Sequence, residues 1–167
     1  KKLGQNFLID GNITDKSVSL AGINKGDAVV EIGPGLGVLT ERLLSAGADV
    51  YAVEFDRRLH AALKERFSEA PHMHLMEGDG VEHPVAGLPR STKHYLVVSN
   101  LPYAISTPWL DALLERPHLP ETIVVMLQKE AAQRYIANPG TKLFGAVARF
   151  VQSAYELEIT DTVSRKC

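Results

Sequence analysis

The sequence predicts an α/β domain in which a mainly parallel, doubly wound sheet is flanked by helices. Two observations support this prediction. Short apolar runs alternate with segments whose apolar residues recur at helical spacing, and glycine, acidic and asparagine residues follow four of these runs. With 167 residues, 45% of them hydrophobic and 23% charged, the chain has the size and composition of one globular domain.

The first predicted elements are a helix and a strand that leads into a glycine-rich turn. We expect the helix over residues 11–21, with Asp10 as its N-cap. The strand covers residues 28–32, and the glycines of segment 33–37 follow it directly. Leucines at helical spacing then predict a second helix: Leu36, Leu39, Leu43 and Leu44.

The remainder of the chain continues the alternation of strands and helices. Apolar runs predict strands over residues 50–54, 74–76, 95–99 and 122–127, and a last strand over 155–163. Apolar periodicity predicts helices carrying Leu59, Ala62, Leu63 and Phe67, and over residues 129–136 and 145–152. Right-handed crossovers between successive strands give a doubly wound sheet, in which ligands bind beyond the carboxyl ends of the strands.

Composition narrows the class of protein. No apolar run approaches the ~20 residues that span a bilayer, so we expect no membrane partner. The single cysteine, Cys167, favours a reducing, cytoplasmic compartment. The net charge of −2 is unlike that of a dedicated nucleic-acid binder, so any binding of RNA must depend on local features.

Four groups of chemically distinctive residues follow four different predicted strands. They are the glycines of segment 33–37, Glu54, Asp79 and the segment 100–103. Because the carboxyl ends of parallel strands meet at one edge of a sheet, all four groups are expected to converge there. The sequence therefore predicts a ligand site at this edge.

The glycine turn allows a sharp bend and the close approach of a ligand. Gly33, Gly35 and Gly37 lack the Cβ atoms that would obstruct either. A dinucleotide fingerprint requires glycine at the sixth position, where this chain has Val38. The spacing therefore disfavours a nicotinamide cofactor, although a plain structural turn would look the same.

Two carboxylates suit an adenosyl ligand. Glu54 ends the second strand, where an acidic residue can accept hydrogen bonds from both ribose hydroxyls. Asp79 lies between two glycines after the third strand and could accept a hydrogen bond from an adenine amine. A solvated carboxylate at Glu54 and a simple turn at Asp79 are the alternatives.

The segment Asn100-Leu101-Pro102-Tyr103 is the most specific feature of the sequence. The side-chain oxygen of Asn100 and the main-chain carbonyl of Leu101 could accept the two N–H groups of an adenine amine and orient its lone pair. Pro102 restricts the chain, and Tyr103 offers a ring on which an extruded base can stack. These features predict transfer of a methyl group to adenine.

The motifs together resemble those of the ribosomal RNA adenine N6-dimethyltransferases, and the resemblance covers essentially the whole chain. Asn-Leu-Pro-Tyr is more similar to the small-subunit, kasugamycin-sensitivity branch than to the erythromycin-resistance branch. The matching residues are Gln5-Asn6-Phe7-Leu8, Glu31-Ile32-Gly33-Pro34-Gly35-Leu36-Gly37, Glu54, Gly78-Asp79, Asn100-Leu101-Pro102-Tyr103 and Leu127-Gln128-Lys129-Glu130.

The resemblance implies a Rossmann-like methyltransferase fold whose last strand is antiparallel, and S-adenosyl-L-methionine as the cofactor. It implies cofactor contacts for Asn6, Leu8, Gly33, Glu54, Asp79 and Asn100. Asn100 and Tyr103 would also serve the target base. The implied substrate is a pair of adjacent adenines in small-subunit ribosomal RNA, each methylated twice, and the implied partner of this monomer is the immature small subunit.

The resemblance assigns residues 1–167 to the catalytic domain. The family's small C-terminal helical domain would lie outside the chain, so we expect residues 1–167 alone to transfer little methyl to RNA. Ala104 and Gly80 depart from the Asn and Ala that the family often carries.

Several alternatives remain open on the sequence. The chain could act on large-subunit RNA or on DNA adenine, or it could be a ribosome-assembly factor that works mainly by binding. A nicotinamide-dependent oxidoreductase is opposed by Val38. We expect no metal site, because His72 and His74 have no third ligand at suitable spacing.

Overall fold

A computed structural model describes residues 11–101 and 104–162 of the chain. The strands are β1 Ala28–Ile32, β2 Asp49–Glu54, β3 Met73–Glu77, β4 Leu96–Asn100 and β5 Thr122–Met126. The helices are α1 Gly11–Ala21, α2 Val38–Ser45, α3 Arg57–Arg66, α4 Ser106–Leu114, α5 Lys129–Tyr135 and α6 Ala146–Ala154.

The five strands form one parallel sheet in the order β3-β2-β1-β4-β5. The chain moves outward in one direction from β1 to β3 and then crosses to the other side of β1 for β4 and β5. The gap between β1 and β4 is therefore the topological switch point, beside which ligands bind in sheets of this kind. The parallel, doubly wound sheet predicted from the sequence is confirmed.

Apolar clusters cover both faces of the sheet. One includes Val30, Val97 and the buried Trp109 of α4, whose indole N–H donates to the Pro84 carbonyl at 3.0 Å. The other includes Val29, Leu43 and their neighbours. Burial on both faces explains why these strands are continuous apolar runs rather than alternating ones.

The predicted last strand is wrong within the described residues. Residues 155–162 form no strand, and residues 156–162 are exposed. Alternation of Tyr155, Leu157 and Ile159 suggested a strand, but a strand also needs hydrogen bonds to a neighbouring strand. The Tyr155 hydroxyl instead donates to the Pro120 carbonyl at 2.8 Å. The antiparallel last strand is consequently absent from the sheet that the structure describes.

The other differences between the structure and the elements predicted from the sequence are smaller. Helix α4 was not predicted, and Leu36 lies in the turn before α2 with its side chain 49% exposed. His72 and His74 both contact the Asp49 carboxylate, at 3.4 and 2.9 Å. Asp10 lies outside the described residues. In the described ranges, no helix is both long and apolar enough to cross a membrane.

Candidate functional site

The glycine turn between β1 and α2 has an unusual backbone. Gly33, Gly35 and Gly37 have φ angles of 68°, 62° and 78°, in the left-handed region that side-chain-bearing residues rarely adopt. Gly37 also packs against α3, because an added Cβ would lie 2.8 Å from Leu63 and from the Phe67 ring. The turn therefore depends on glycine for both its conformation and its packing.

Glu54 ends β2 and is bonded to this turn. One carboxylate oxygen accepts the Gly35 N–H at 3.0 Å, and the other accepts the Asp56 N–H at 2.9 Å. The side chain is 1% exposed. Within residues 11–101 and 104–162, no cation pairs with this carboxylate, and each oxygen retains a lone pair for a further donor.

The segment after β3 approaches the same edge. The Gly78 N–H donates to the Glu54 carbonyl at 3.0 Å. The Asp79 carboxylate accepts the Val81 N–H at 2.8 Å. A Cβ on Gly80 would lie 2.5 Å from Cγ2 of Ile32, the last residue of β1. The absence of a side chain at position 80 therefore lets this segment pack directly against the strand that leads into the glycine turn.

A serine hydroxyl joins β4 to β1 at the switch point. The last residues of β1 and β4 that pair with each other are Val30 and Val97. Beyond them, the Ser99 hydroxyl donates to the Ile32 carbonyl at 2.8 Å and accepts the Ile32 N–H at 3.3 Å. The bridge brings Asn100, the next residue, to the carboxyl edge beside the glycine turn.

The predicted site residues are therefore distributed as follows. Gly33, Gly35, Glu54, Asp79 and Asn100 all lie at the carboxyl ends of β1 to β4. The Leu101 side chain is 2% exposed and anchors the chain after Asn100 in the core. The four remaining candidates lie outside the described residues: Asn6, Leu8, Pro102 and Tyr103.

Two side chains at this edge were given no role of their own in the sequence analysis. Glu31 is 2% exposed and accepts the Thr40 hydroxyl at 2.7 Å. Burial, with a smaller contribution from the nearby Glu54, raises the pKa of Glu31 to about 8 against the lowering effect of the Thr40 hydrogen bond. Phe55 follows Glu54 directly with its ring 60% exposed, a large apolar surface beside a strand end that could have drawn attention.

A cavity of about 270 Å³ lies away from this edge. Tyr95, Arg90 and Arg116 are among the residues that line it. Tyr95 directly precedes β4, so the cavity belongs to the amino end of that strand and is separate from the glycine turn.

Comparison with known proteins identifies the family. A family model described as "Ribosomal RNA adenine dimethylase" matches residues 1–167. The chain belongs to this family. It is 58% identical over 168 residues to a ribosomal RNA small subunit methyltransferase A from Opitutus terrae, covering 99% of this chain and 60% of that relative. The chain thus spans about three fifths of the length of this curated relative.

Solved structures agree with this assignment. A dimethyladenosine transferase from Plasmodium falciparum matches 88% of this chain and 52% of its own, with a TM-score of 0.74 and 31% identity. The 23S ribosomal RNA methyltransferase ErmE matches 77% of this chain and 50% of its own, with a TM-score of 0.66 and 31% identity. The sheet is therefore that of the S-adenosylmethionine-dependent methyltransferases, as the motifs predicted.

Proposed function

We propose that the protein transfers two methyl groups from S-adenosyl-L-methionine to the N6 amine of each of two adjacent adenines in small-subunit ribosomal RNA. The observation that carries this proposal is the convergence of the glycine turn, Glu54, Asp79 and Asn100 on one sheet edge. The relative from Opitutus terrae is named as a ribosomal RNA small subunit methyltransferase. We propose that the protein works as a cytoplasmic monomer on immature small subunits.

The residues at the sheet edge fit an adenosyl cofactor. Glu54 is a buried carboxylate that can accept further hydrogen bonds, as two ribose hydroxyls require. Asp79 offers an acceptor for the adenine amine, and the exposed Phe55 ring offers an apolar surface for the base. The left-handed glycine turn lets the chain approach the methionine portion closely. Asn6, Leu8 and Asn100 complete the proposed contacts.

The chemistry requires orientation of a weak nucleophile. The cofactor, when bound, supplies a methyl group on a positively charged sulfur. In the first proposed transfer the Asn100 side-chain oxygen and the Leu101 main-chain carbonyl accept the two N–H groups of the adenine amine, and in the second transfer one of these oxygens accepts the N–H that remains. The nitrogen lone pair then points toward the methyl carbon, so an N–C bond forms as the S–C bond breaks. The methylated amine would release its extra proton to water, and the donor would leave as its neutral, demethylated thioether.

We propose that the Tyr103 ring holds the target adenine by stacking against it. An adenine must leave its stack before the amine can reach Asn100, at a cost of a few kcal/mol. Stacking on an aromatic ring contributes about 1–3 kcal/mol per base and offsets part of that cost. Pro102 limits the backbone freedom of the segment that carries the ring.

A large-subunit substrate is the second candidate, because ErmE shares the fold at 31% identity. The small-subunit substrate is preferred, because the named relative at 58% identity is a small-subunit enzyme. Under-methylated small and large subunits, offered separately with labelled cofactor, distinguish the two by which RNA acquires label.

The cofactor assignment has its own test. Calorimetry with S-adenosylmethionine, its demethylated product and NAD should give binding for the first two only. Tighter binding of NAD than of the methyl donor would overturn the assignment.

A further inference from the structure

A guanidinium group of α3 holds the glycine turn from its outer side. Arg66 donates from Nη1 to the Leu36 carbonyl at 2.5 Å and from Nη2 to the Glu41 carboxylate of α2 at 2.8 Å. Its Cζ atom also lies 5.1 Å from the centre of the Phe67 ring. One side chain thus connects the turn, α2 and the end of its own helix.

The outer half of the turn has its own backbone bonds, from the Gly37 N–H to the Pro34 carbonyl at 2.9 Å and from the Glu41 N–H to the Gly37 carbonyl at 3.0 Å, but the described bonds leave the Leu36 carbonyl to Arg66. The inner half is fixed by backbone bonds, such as the Gly33 N–H to the Val53 carbonyl at 2.9 Å, and by the bond from Gly35 to Glu54. The Leu36 side chain is 49% exposed and so contributes little anchoring by burial. Glycine-rich backbone loses more conformational freedom on ordering than other sequence, which makes an external restraint valuable.

The carbonyl contact is the important part of this arrangement. An exposed ion pair such as Arg66 with Glu41 contributes little to stability, because solvent screens it. The bond to the Leu36 carbonyl is charge-assisted and acts directly on the orientation of a peptide group within the turn. Gly37, the next residue, lies so close to Phe67 that an added Cβ would be 2.8 Å from the ring, so the turn and the end of α3 are packed tightly together.

We propose that Arg66 is a positioning residue that holds the glycine turn in the conformation that receives the methyl donor, without touching the donor. The inference rests on the proposed function, because it takes this turn to be the cofactor site. Loss of the guanidinium should weaken donor binding, since the turn must then be ordered when the donor binds. Transfer at saturating donor should be unaffected, because Asn100 and Leu101 are unchanged.

The test compares Arg66→Met with two matched variants in the full-length protein. Arg42→Met removes a comparable surface ion pair, from Arg42 of α2 to Asp15 at 3.1 Å, that does not involve the turn. Glu41→Gln removes the ion pair of Arg66 but leaves the Leu36 carbonyl contact. Calorimetry gives the Kd for S-adenosylmethionine, and methylation of small-subunit RNA at saturating donor gives kcat.

We expect Arg66→Met to raise the Kd three- to tenfold with kcat within twofold of the unaltered protein, and both matched variants to stay within twofold in Kd. An unchanged Kd in Arg66→Met, or an equal loss in Arg42→Met, would overturn the inference. If Arg66→Met does not fold, Arg66→Lys replaces it, because a single ammonium cannot reproduce the two-armed contact and should also raise the Kd. Failure of the unaltered protein to bind the donor would instead overturn the proposed function, and this inference with it.

Discussion

The Glu54 carboxylate and the Gly35 N–H form a hydrogen bond of 3.0 Å that ties the end of β2 to the glycine turn after β1. Glu54→Gln would place an amide N–H₂ group against the N–H of either Gly35 or Asp56, and it would remove the charge proposed to bind the ribose. We expect donor affinity to fall at least tenfold, consistent with roughly 1.5–3 kcal/mol for a charged hydrogen bond.

Calorimetry of Glu54→Gln checks this expectation, with Glu65→Gln as the control because Glu65 is exposed on α3. Wild-type affinity in Glu54→Gln would contradict the ribose assignment. Equal losses in the two variants would show a general effect of charge.

A side chain at position 80 should destabilise this chain, although the family often carries Ala there. The Cβ of Gly80→Ala would lie 2.5 Å from Cγ2 of the buried Ile32, so one of the two segments must move. We expect a loss of about 1–3 kcal/mol in the free energy of unfolding, together with weaker donor binding because Asp79 moves too. Urea unfolding measures the first effect. Gly11→Ala is the control, since among the described residues its added Cβ would meet only Nη2 of Arg42, at an ordinary 3.8 Å, and a loss as large there would refute the steric account.

Much of the fold and of the site edge could be predicted because the informative residues are local in sequence. Glycines after β1 and single polar residues at or just after the ends of β2, β3 and β4 interrupt apolar runs, and parallel pairing brings those interruptions together. The partnership of Glu31 with Thr40 and that of Arg66 with Leu36 could not be predicted in this way. Each crosses between elements, so it depends on how the helices pack.

The wrong last strand has a related cause. The alternation of apolar and polar residues over 155–163 is a property of that segment alone. A strand is defined by its hydrogen bonds to a neighbouring strand, which the alternation does not show. Helix α4 was missed for a different reason. It begins at Ser106, soon after Pro102, and contains Pro108, two residues typical of helix breaks. Pro108 is tolerated because it lies in the first turn, where its missing N–H has no intrahelical partner to lose.

Glu31 should make stability depend on pH. Burial raises the pKa of its carboxyl from 4.5 to about 8, so the folded protein holds a proton that the unfolded chain releases above pH 4.5. This contribution to stability is complete below pH 4.5 and is lost as the pH rises through 8. Glu31→Gln, which stays neutral and can still accept the Thr40 hydroxyl, lacks this dependence.

We therefore expect the unfolding free energy of the wild type to fall by about 2–4 kcal/mol relative to Glu31→Gln between pH 5 and pH 8.5. Urea unfolding of both proteins at the two pH values measures the difference, in which the other titrating groups cancel. A difference that does not change with pH would contradict a buried, protonated Glu31.

Substitutions in the segment 100–103 should separate binding from chemistry. Tyr103→Ala should leave donor affinity nearly unchanged and lower RNA methylation at least tenfold, because a stacking surface of about 1–3 kcal/mol is lost. Asn100→Ala should reduce both, since its side chain is proposed to touch donor and base. Paired calorimetry and methylation assays of the full-length protein test this, and normal methylation by Tyr103→Ala would refute the stacking role.

The most direct measurement is incorporation of labelled methyl groups from S-adenosylmethionine into under-methylated small ribosomal subunits, followed by identification of the modified nucleosides. The account predicts N6,N6-dimethyladenosine at two adjacent adenines of small-subunit RNA, and much less of it when Asn100→Ala replaces the unaltered full-length protein. Label confined to large-subunit RNA, label on a base other than adenine, or no transfer from a protein that binds the donor would contradict it.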